Sequence, residues 1–364
     1  MNRRYFFKKS LNTITAMLLG GLGASFPTGS AHGNETNMRY KYGHEPSLKA
    51  IAQNTLHHRN GQFVNLFGPG RQGRLGQLLH WKFFSPNNFK QYYDQEPTKT
   101  VNIDWKPVYD SDKLSVTFLK HASVLIKDAG SYILIDPIFG HISRFIKDFT
   151  PLGFDAQAIP KPQQVLVTHG HYDHLDKKTL GLYKESAHFI SPLGYEPIFD
   201  DIGLKKTTAL DWFETVSQNG RSITLLPCKH WTMRNPLVGP NRALWGSFLI
   251  ETKTGPTIYV SGDTAYFEGF KEIGERYDID LAIINLGAYE PRWFMAPSHM
   301  NPHETVQALQ DLKAKKLMVV HWGTFRLGDE PVHFPPMQLR EVMQKKGLAE
   351  QLLDISHGET YFWV

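Results

Sequence analysis

From Leu114 onward the chain alternates short apolar runs with turns rich in glycine, proline and asparagine. Residues 114–119, 123–126 and 132–135 read as successive strands, joined by turns such as Asp128-Ala129-Gly130. Further strands are expected at 165–168, around 188–190, and at 222–226, 244–250, 257–260, 281–285 and 317–320. Helices at 177–185, 267–277 and 302–312 interleave with them, the last carrying Pro302 in its first turn. A helix at 336–346 precedes a closing strand at 360–364. Strand-rich blocks separated by helices predict an α/β (α+β) fold. Its two sheets stack face to face with helices outside, in a four-layer αββα sandwich.

Ahead of this regular part the pattern changes. Residues 32–50 are polar and aperiodic, which predicts a flexible segment. Residues 51–110 are irregular and carry Phe63, Phe67, Trp81, Phe83, Phe84 and Phe89, as expected of an extension packed across a domain. The expected organisation is therefore an N-terminal signal at 1–31, an extension at 32–110 and the main domain at 111–364. The signal reading rests on Arg3-Arg4-Tyr5-Phe6-Phe7-Lys8, which resembles a twin-arginine export motif. A weakly polar run from Leu11 to Phe26 follows, with Gly29 and Ala31 offering a cleavage point. An exported protein, periplasmic or secreted, is the expectation.

At 364 residues the chain can bury one large core. Its formal charge of +5 misleads, because Arg3, Arg4, Lys8 and Lys9 supply four of the charges and residues 10–31 carry none. The remainder is near neutral, which argues against a nucleic-acid surface. The single cysteine, Cys228, excludes an internal disulfide and reads as a packed core thiol.

The chemistry concentrates in His169-Gly170-His171-Tyr172-Asp173-His174, directly after the apolar run 165–168. Imidazole nitrogens and a carboxylate suit zinc or a similar first-row divalent ion. Four such groups cannot all grip one ion without strain. They make sense shared between two ions a few ångströms apart with a hydroxide between them. Three more candidates each end a predicted strand: His230 after 222–229, Asp263 after 257–262 and His321 after 317–320.

These motifs resemble the metallo-β-lactamase superfamily, and within it the phospholipases D that hydrolyse N-acylphosphatidylethanolamine. The resemblance spans about residues 60–364. Its most specific stretches are Gly287-Ala-Tyr-Glu-Pro-Arg-Trp-Phe-Met295 and His321-Trp-Gly-Thr-Phe325. It implies two Zn²⁺ ions, with Mn²⁺ or Fe²⁺ open as alternatives on the same ligands. By the same resemblance His169, His171 and His230 hold one ion, Asp173, His174 and His321 the other, and Asp263 bridges them. It also implies that His299 contacts the phosphate or the reacting oxygens, and that Tyr172 touches substrate. The implied reaction is attack by the bridging hydroxide on a phosphodiester, releasing N-acylethanolamine and phosphatidic acid. The phospholipid substrate makes peripheral membrane contact an expectation.

Ser298 departs from the family pattern, where a longer amide side chain precedes the histidine. His121 and Asp136 are expected to orient loops around the site. His57, His58, His141, His188, His303, His333 and His357 are expected at the surface or in packing. A lactonase or other ester hydrolase acting on a small soluble substrate is the competing reading. An apolar groove built from Trp81, Phe83, Phe84, Trp293 and Phe294 would favour the lipid.

Overall fold

The computed structural model describes residues 46–68, 75–235 and 237–363, so the expected signal at 1–31 lies outside the described residues. Two sheets form the centre. One has seven strands: β3 (Ser115–Lys120), β4 (Ser123–Asp128), β5 (Ser131–Ile135), β6 (Gln164–Leu166), β7 (His188–Pro192), β8 (Thr207–Leu210) and β15 (Thr360–Phe362), in the order β15-β3-β4-β5-β6-β7-β8. The other has six: β9 (Thr215–Gln218), β10 (Arg221–Leu226), β11 (Ser247–Glu251), β12 (Thr257–Val260), β13 (Leu281–Asn285) and β14 (Lys316–Val320), in the order β14-β13-β12-β11-β10-β9. Strands β5 to β8 run parallel, as do β12 to β14.

Strand alternation explains the stacking. Val116, Phe118, Val124, Ile126, Ile133 and Ile135 meet Ile223, Leu225, Phe248, Ile250, Ile258, Val260, Met318 and Val320 between the sheets. Their neighbours one residue on point the other way. Leu119, Leu125 and Leu134 pack with Val108, Leu180 and Phe199 from helices Lys106–Asp110, Lys177–Gly181 and Glu196–Ile202. Leu249, Tyr259, Ala282, Ile284 and Leu317 pack with Phe270, Val306 and Leu339 from helices Gly269–Arg276, Pro302–Asp311 and Phe334–Lys345. Strands covered on both faces need apolar residues at nearly every position, which is why they read as continuous hydrophobic runs. The result is the four-layer αββα sandwich.

Several local readings differ from the outcome. Strands β8 and β9 were not expected. Both lie at sheet edges and read Thr-Thr-Ala-Leu and Thr-Val-Ser-Gln, with little apolar signal because their outer faces are exposed. The strand expected from 244 begins only at Ser247. Leu244 and Gly246 donate instead to the carbonyls of Leu193 and Thr168 in the opposite sheet's loops. The helix expected to 185 stops at Gly181. Aperiodicity was also over-extended at the N-terminal side: Leu48–Gln53 is helical, with Leu48 and Ile51 buried in two different core clusters. The irregular stretch after it contains helices Leu75–Phe83 and Lys106–Asp110 and a small hairpin of β1 (His58–Arg59) and β2 (Gln62–Phe63). Cys228 is buried and unpaired.

Candidate metal centre

The chemistry-bearing side chains gather where strands end. His121 follows β3, Asp136 follows β5, the 169–174 loop follows β6, His230 follows β10, Asp263 follows β12, and His321 follows β14. Parallel strands present their carboxyl ends along one edge, so residues far apart in sequence meet in one crevice. The turns there are tight. His121, Asp136 and His321 have φ of 50°, 40° and 69°, a left-handed conformation that non-glycine residues rarely adopt, and Gly262 has φ 57°. A Cβ on Gly262 would stand 2.9 Å from Thr168 Cβ, so glycine there lets Asp263 approach the 168–174 loop.

Two interlocking clusters result. In one, His171 Nδ1 lies 2.9 Å from His169 Nε2 and 3.3 Å from His230 Nε2, and Asp263 Oδ2 lies 3.7 Å from each of those Nε2 atoms. In the other, Asp173 Oδ2 lies 3.2 Å from His321 Nε2 and 3.6 Å from His174 Nε2. Asp263 faces both, with Oδ2 3.3 Å from His174 Nε2 and Oδ1 3.3 Å from His321 Nε2. A tetrahedral zinc with bonds of about 2.0–2.1 Å sets its ligand atoms roughly 3.3 Å apart, so these separations fit divalent ions. A second observation agrees: His174 Nε2 is fully buried, faces this crevice and has no hydrogen-bond partner.

The ring orientations are set from behind. His174 Nδ1 donates to Asp136 Oδ2 at 2.8 Å, which leaves Nε2 bare toward the crevice. Asp136 also accepts from Thr168 N at 2.7 Å and Thr168 Oγ1 at 2.6 Å. Because that hydroxyl proton goes to Asp136, Thr168 Oγ1 can accept from His169 Nδ1 at 3.0 Å. His230 Nδ1 donates to the Ser298 carbonyl at 3.2 Å. In all three the bond at Nδ1 turns Nε2 toward the crevice, the orientation a ligating histidine needs. His121 Nε2 reaches Asp173 Oδ2 at 3.0 Å and sits within the second cluster, behind the carboxylate it contacts.

The electrostatics point the same way. Burial pushes the His169 and His230 pKa values well below the ordinary imidazole value, so both are neutral. Burial would raise Asp173, but His174 and the bonds from His121 and His321 hold it well below the usual carboxylate range. Asp263 is likewise driven up by burial and more strongly down by His321 and His174. His174 is the exception among the imidazoles: burial would depress it, yet Asp263, Asp173 and Asp136 raise it well above its usual value. The same three carboxylates make the crevice a place for cations.

His299 stands beside both clusters, its ring centroid 5.4 Å from that of His230 and 5.9 Å from that of His321. Its carbonyl accepts from Arg292 Nη1 at 3.0 Å, and Arg292 Nη2 pairs with both oxygens of Glu304 at 2.9 and 2.7 Å. Glu304 also closes the capping box with Asn301 at the start of helix Pro302–Asp311. Tyr172 is half exposed; its hydroxyl donates to the Arg234 carbonyl at 2.9 Å and its ring lies 4.1 Å from the Arg234 guanidinium.

Sequence reasoning missed three residues here. Asn285 Nδ2 donates to Asp263 Oδ1 at 2.9 Å; its signal was a polar residue closing an apolar strand, like the expected ligands. Arg234 Nη1 donates to the carbonyls of Leu175 (2.7 Å), Gly170 (3.3 Å) and His171 (3.4 Å), stapling the 169–175 loop, and nothing in its sequence context marks it. Arg292 lies within the 287–295 stretch, where nothing in the local pattern marks its contact with His299. Away from the centre, the Nε2 atoms of His57 and His58, expected at the surface or in packing, meet the two Asp211 oxygens at 2.6 and 2.8 Å. His57 Nδ1 is buried without a partner. Each Nε2 meets its own Asp211 oxygen at hydrogen-bond length, so hydrogen bonds alone account for the contacts in this trio.

A beta-lactamase superfamily domain profile matches residues 131–322. The chain belongs to the beta-lactamase superfamily of metal-dependent hydrolases. This hydrolase is 32% identical over 276 residues to N-acyl-phosphatidylethanolamine-hydrolyzing phospholipase D 1 of Caenorhabditis elegans, covering 70% of this chain and 76% of that one. It is 33% identical over 244 residues to the mitochondrial N-acyl-phosphatidylethanolamine-hydrolyzing phospholipase D of Saccharomyces cerevisiae, covering 64% of this chain. It spans about half, 52%, of the yeast protein's length. Among solved structures, a possible metal-dependent hydrolase from Veillonella parvula shares the fold with a TM-score of 0.57 at 17% identity, covering 69% of this hydrolase and all of that chain.

Proposed function

We propose that this hydrolase is a phospholipase D-type phosphodiesterase that cleaves N-acylphosphatidylethanolamine to N-acylethanolamine and phosphatidic acid. The observation that carries the reading is the pair of clusters sharing Asp263, with His299 beside both. In this reading His169, His171 and His230 would hold one ion and Asp173, His174 and His321 the other, with Asp263 facing both. Two divalent ions, zinc by the donor set, supply Lewis acidity toward a phosphodiester and lower the pKa of water when bound. The chain's own residues do the rest. Asp136 and Thr168 fix the tautomers of His174 and His169, Asn285 orients Asp263, and His121 holds Asp173. His299, placed by Arg292 and Glu304, hydrogen-bonds the phosphate oxygens. Tyr172 offers its exposed ring to the head group.

The expected apolar groove divides. Trp81 and Phe294 pack inward with Ala288 and Met295, while Phe83, Phe84 and Trp293 stay exposed. The exposed members support a lipid substrate. Export through residues 1–31 belongs to the same proposal and is checked by fractionating cells that express the full chain or an Arg3→Lys/Arg4→Lys variant. The activity is tested by mass spectrometry of products formed from mixed phospholipids, with metal-loaded and chelator-treated protein. N-acylethanolamines and phosphatidic acid should accumulate only with metal, and His230→Ala should abolish both. Opening of a short lactone with no lipid products would move the assignment to the soluble-ester reading.

A further inference from the structure

The surface beside the crevice carries apolar side chains that the core does not use. In helix Leu75–Phe83, Leu78 and Trp81 pack inward against Phe294 and Met295. The opposite side and the residue after it expose Phe83 (51%) and Phe84 (76%), and Trp293 is 49% exposed on the neighbouring helix Arg292–Met295. His80 joins them, its ring 5.5 Å from Trp293 and 6.1 Å from Phe84. Scattered exposed aromatics need no explanation, but a contiguous cluster does. This one adjoins the centre: Met295, ending the Trp293 helix, accepts the backbone N–H of His299.

Charge adds a second observation. Residues 46–93 contain no aspartate or glutamate, yet carry Lys49, Arg59, Arg71, Arg74, Lys82 and Lys90 (Arg71 and Arg74 lie outside the described residues). Lys82 and Lys90 are exposed, the Lys82 ammonium lies 3.3 Å from the Trp81 ring centre, and both lysines act on the buried carboxylate of Asp329. Aromatic rings flanked by lysines match the boundary of an anionic bilayer, where rings enter the head-group region and ammonium groups meet lipid phosphates. The proposed substrate makes such a surface itself. Acylating the ethanolamine nitrogen removes its charge and leaves the phosphodiester as a net anion.

We infer that Phe83, Phe84 and Trp293, with His80, Lys82 and Lys90, form a docking face for anionic bilayers that seats the metal crevice at the lipid surface. The inference rests on the phospholipid reading for its purpose, but its test does not depend on turnover. The full chain is sedimented with vesicles of phosphatidylcholine alone or mixed in equal parts with phosphatidylglycerol. Wild type should partition onto the mixed vesicles and much less onto the neutral ones. Phe83→Ser/Phe84→Ser should weaken that partitioning on the order of tenfold. Lys82→Glu/Lys90→Glu should weaken it about fivefold or more and remove most of its salt dependence. Thermal melting and metal content should match wild type in both variants, which reports that they fold. Unaltered sedimentation of both variants would overturn the docking face, even if detergent-dispersed N-acylphosphatidylethanolamine is still cleaved. Patch-dependent binding without such cleavage would instead keep the face and sink the proposed activity.

Discussion

Arg234 offers a demanding test of how the centre is held. Its Nη1 reaches three carbonyls of the loop that carries His169, His171, Asp173 and His174, but only the 2.7 Å contact to Leu175 is short. A charged hydrogen bond of that kind contributes about 1.5–3 kcal/mol, and the two longer ones together add about a third of that. Stacking on the half-exposed Tyr172 ring adds about 0.5–1 kcal/mol. Arg234→Ala should therefore cost roughly 3 kcal/mol, concentrated in one loop. Part of that loss should emerge as zinc affinity lowered on the order of 10–100-fold, the usual consequence of losing support behind metal ligands. Competition with a chromogenic chelator measures the affinity, and thermal unfolding of metal-free protein measures the global cost. Arg234→Lys keeps the charge but lacks the planar fork, and should fall between the two. Removing the exposed Arg340–Asp354 pair by Arg340→Ala should leave affinity unchanged. Should Arg234→Ala lower the melting temperature while binding zinc as tightly as wild type, the loop-staple argument fails.

Three further outcomes are expected. Asn285→Leu removes the donor to Asp263 Oδ1 and should weaken binding of both ions on the order of tenfold or more, read by the same competition titration. Arg292→Ala frees the His299 carbonyl, and should lower kcat roughly tenfold while metal content and KM change little, seen in steady-state kinetics alongside metal analysis. Glu330 accepts the backbone N–H groups of Tyr289 and Glu290, yet burial raises its pKa from 4.5 to about 7. A raised carboxyl pKa means the folded state binds the proton more tightly. Its contribution is full below pH 4.5 and is lost as pH rises through about 7, amounting to about 3 kcal/mol. Glu330→Gln should flatten that part of the stability–pH curve in denaturant titrations, and an unchanged slope would reject the assignment.

How much of this was legible in the chain depends on whether the signal was local. Doubly covered strands such as β3, β4 and β13 announce themselves, because burial on both faces demands apolar residues throughout. The edge strands β8 and β9 do not, since one face meets water and their pairing is a tertiary fact. Residues 244–246 look like strand, but their hydrogen bonds go to Leu193 and Thr168 across the sandwich.

The centre divides the same way. His169, His171, Asp173, His174, His230, Asp263 and His321 stood out in the sequence as candidates because imidazole and carboxylate side chains at the ends of apolar strands are a short-range pattern. Their division into two clusters facing one carboxylate is a matter of distances between strand ends, and only the packed sheets set those. Asn285, Arg234 and the Arg292–Glu304 pair act through single hydrogen bonds across long sequence separations, which leave no periodicity to read. Composition determined the donor chemistry of this hydrolase, while tertiary structure determined which lone pairs face one another. Hydrophobic burial is periodic and local, whereas hydrogen-bond geometry exists only once the layers have closed.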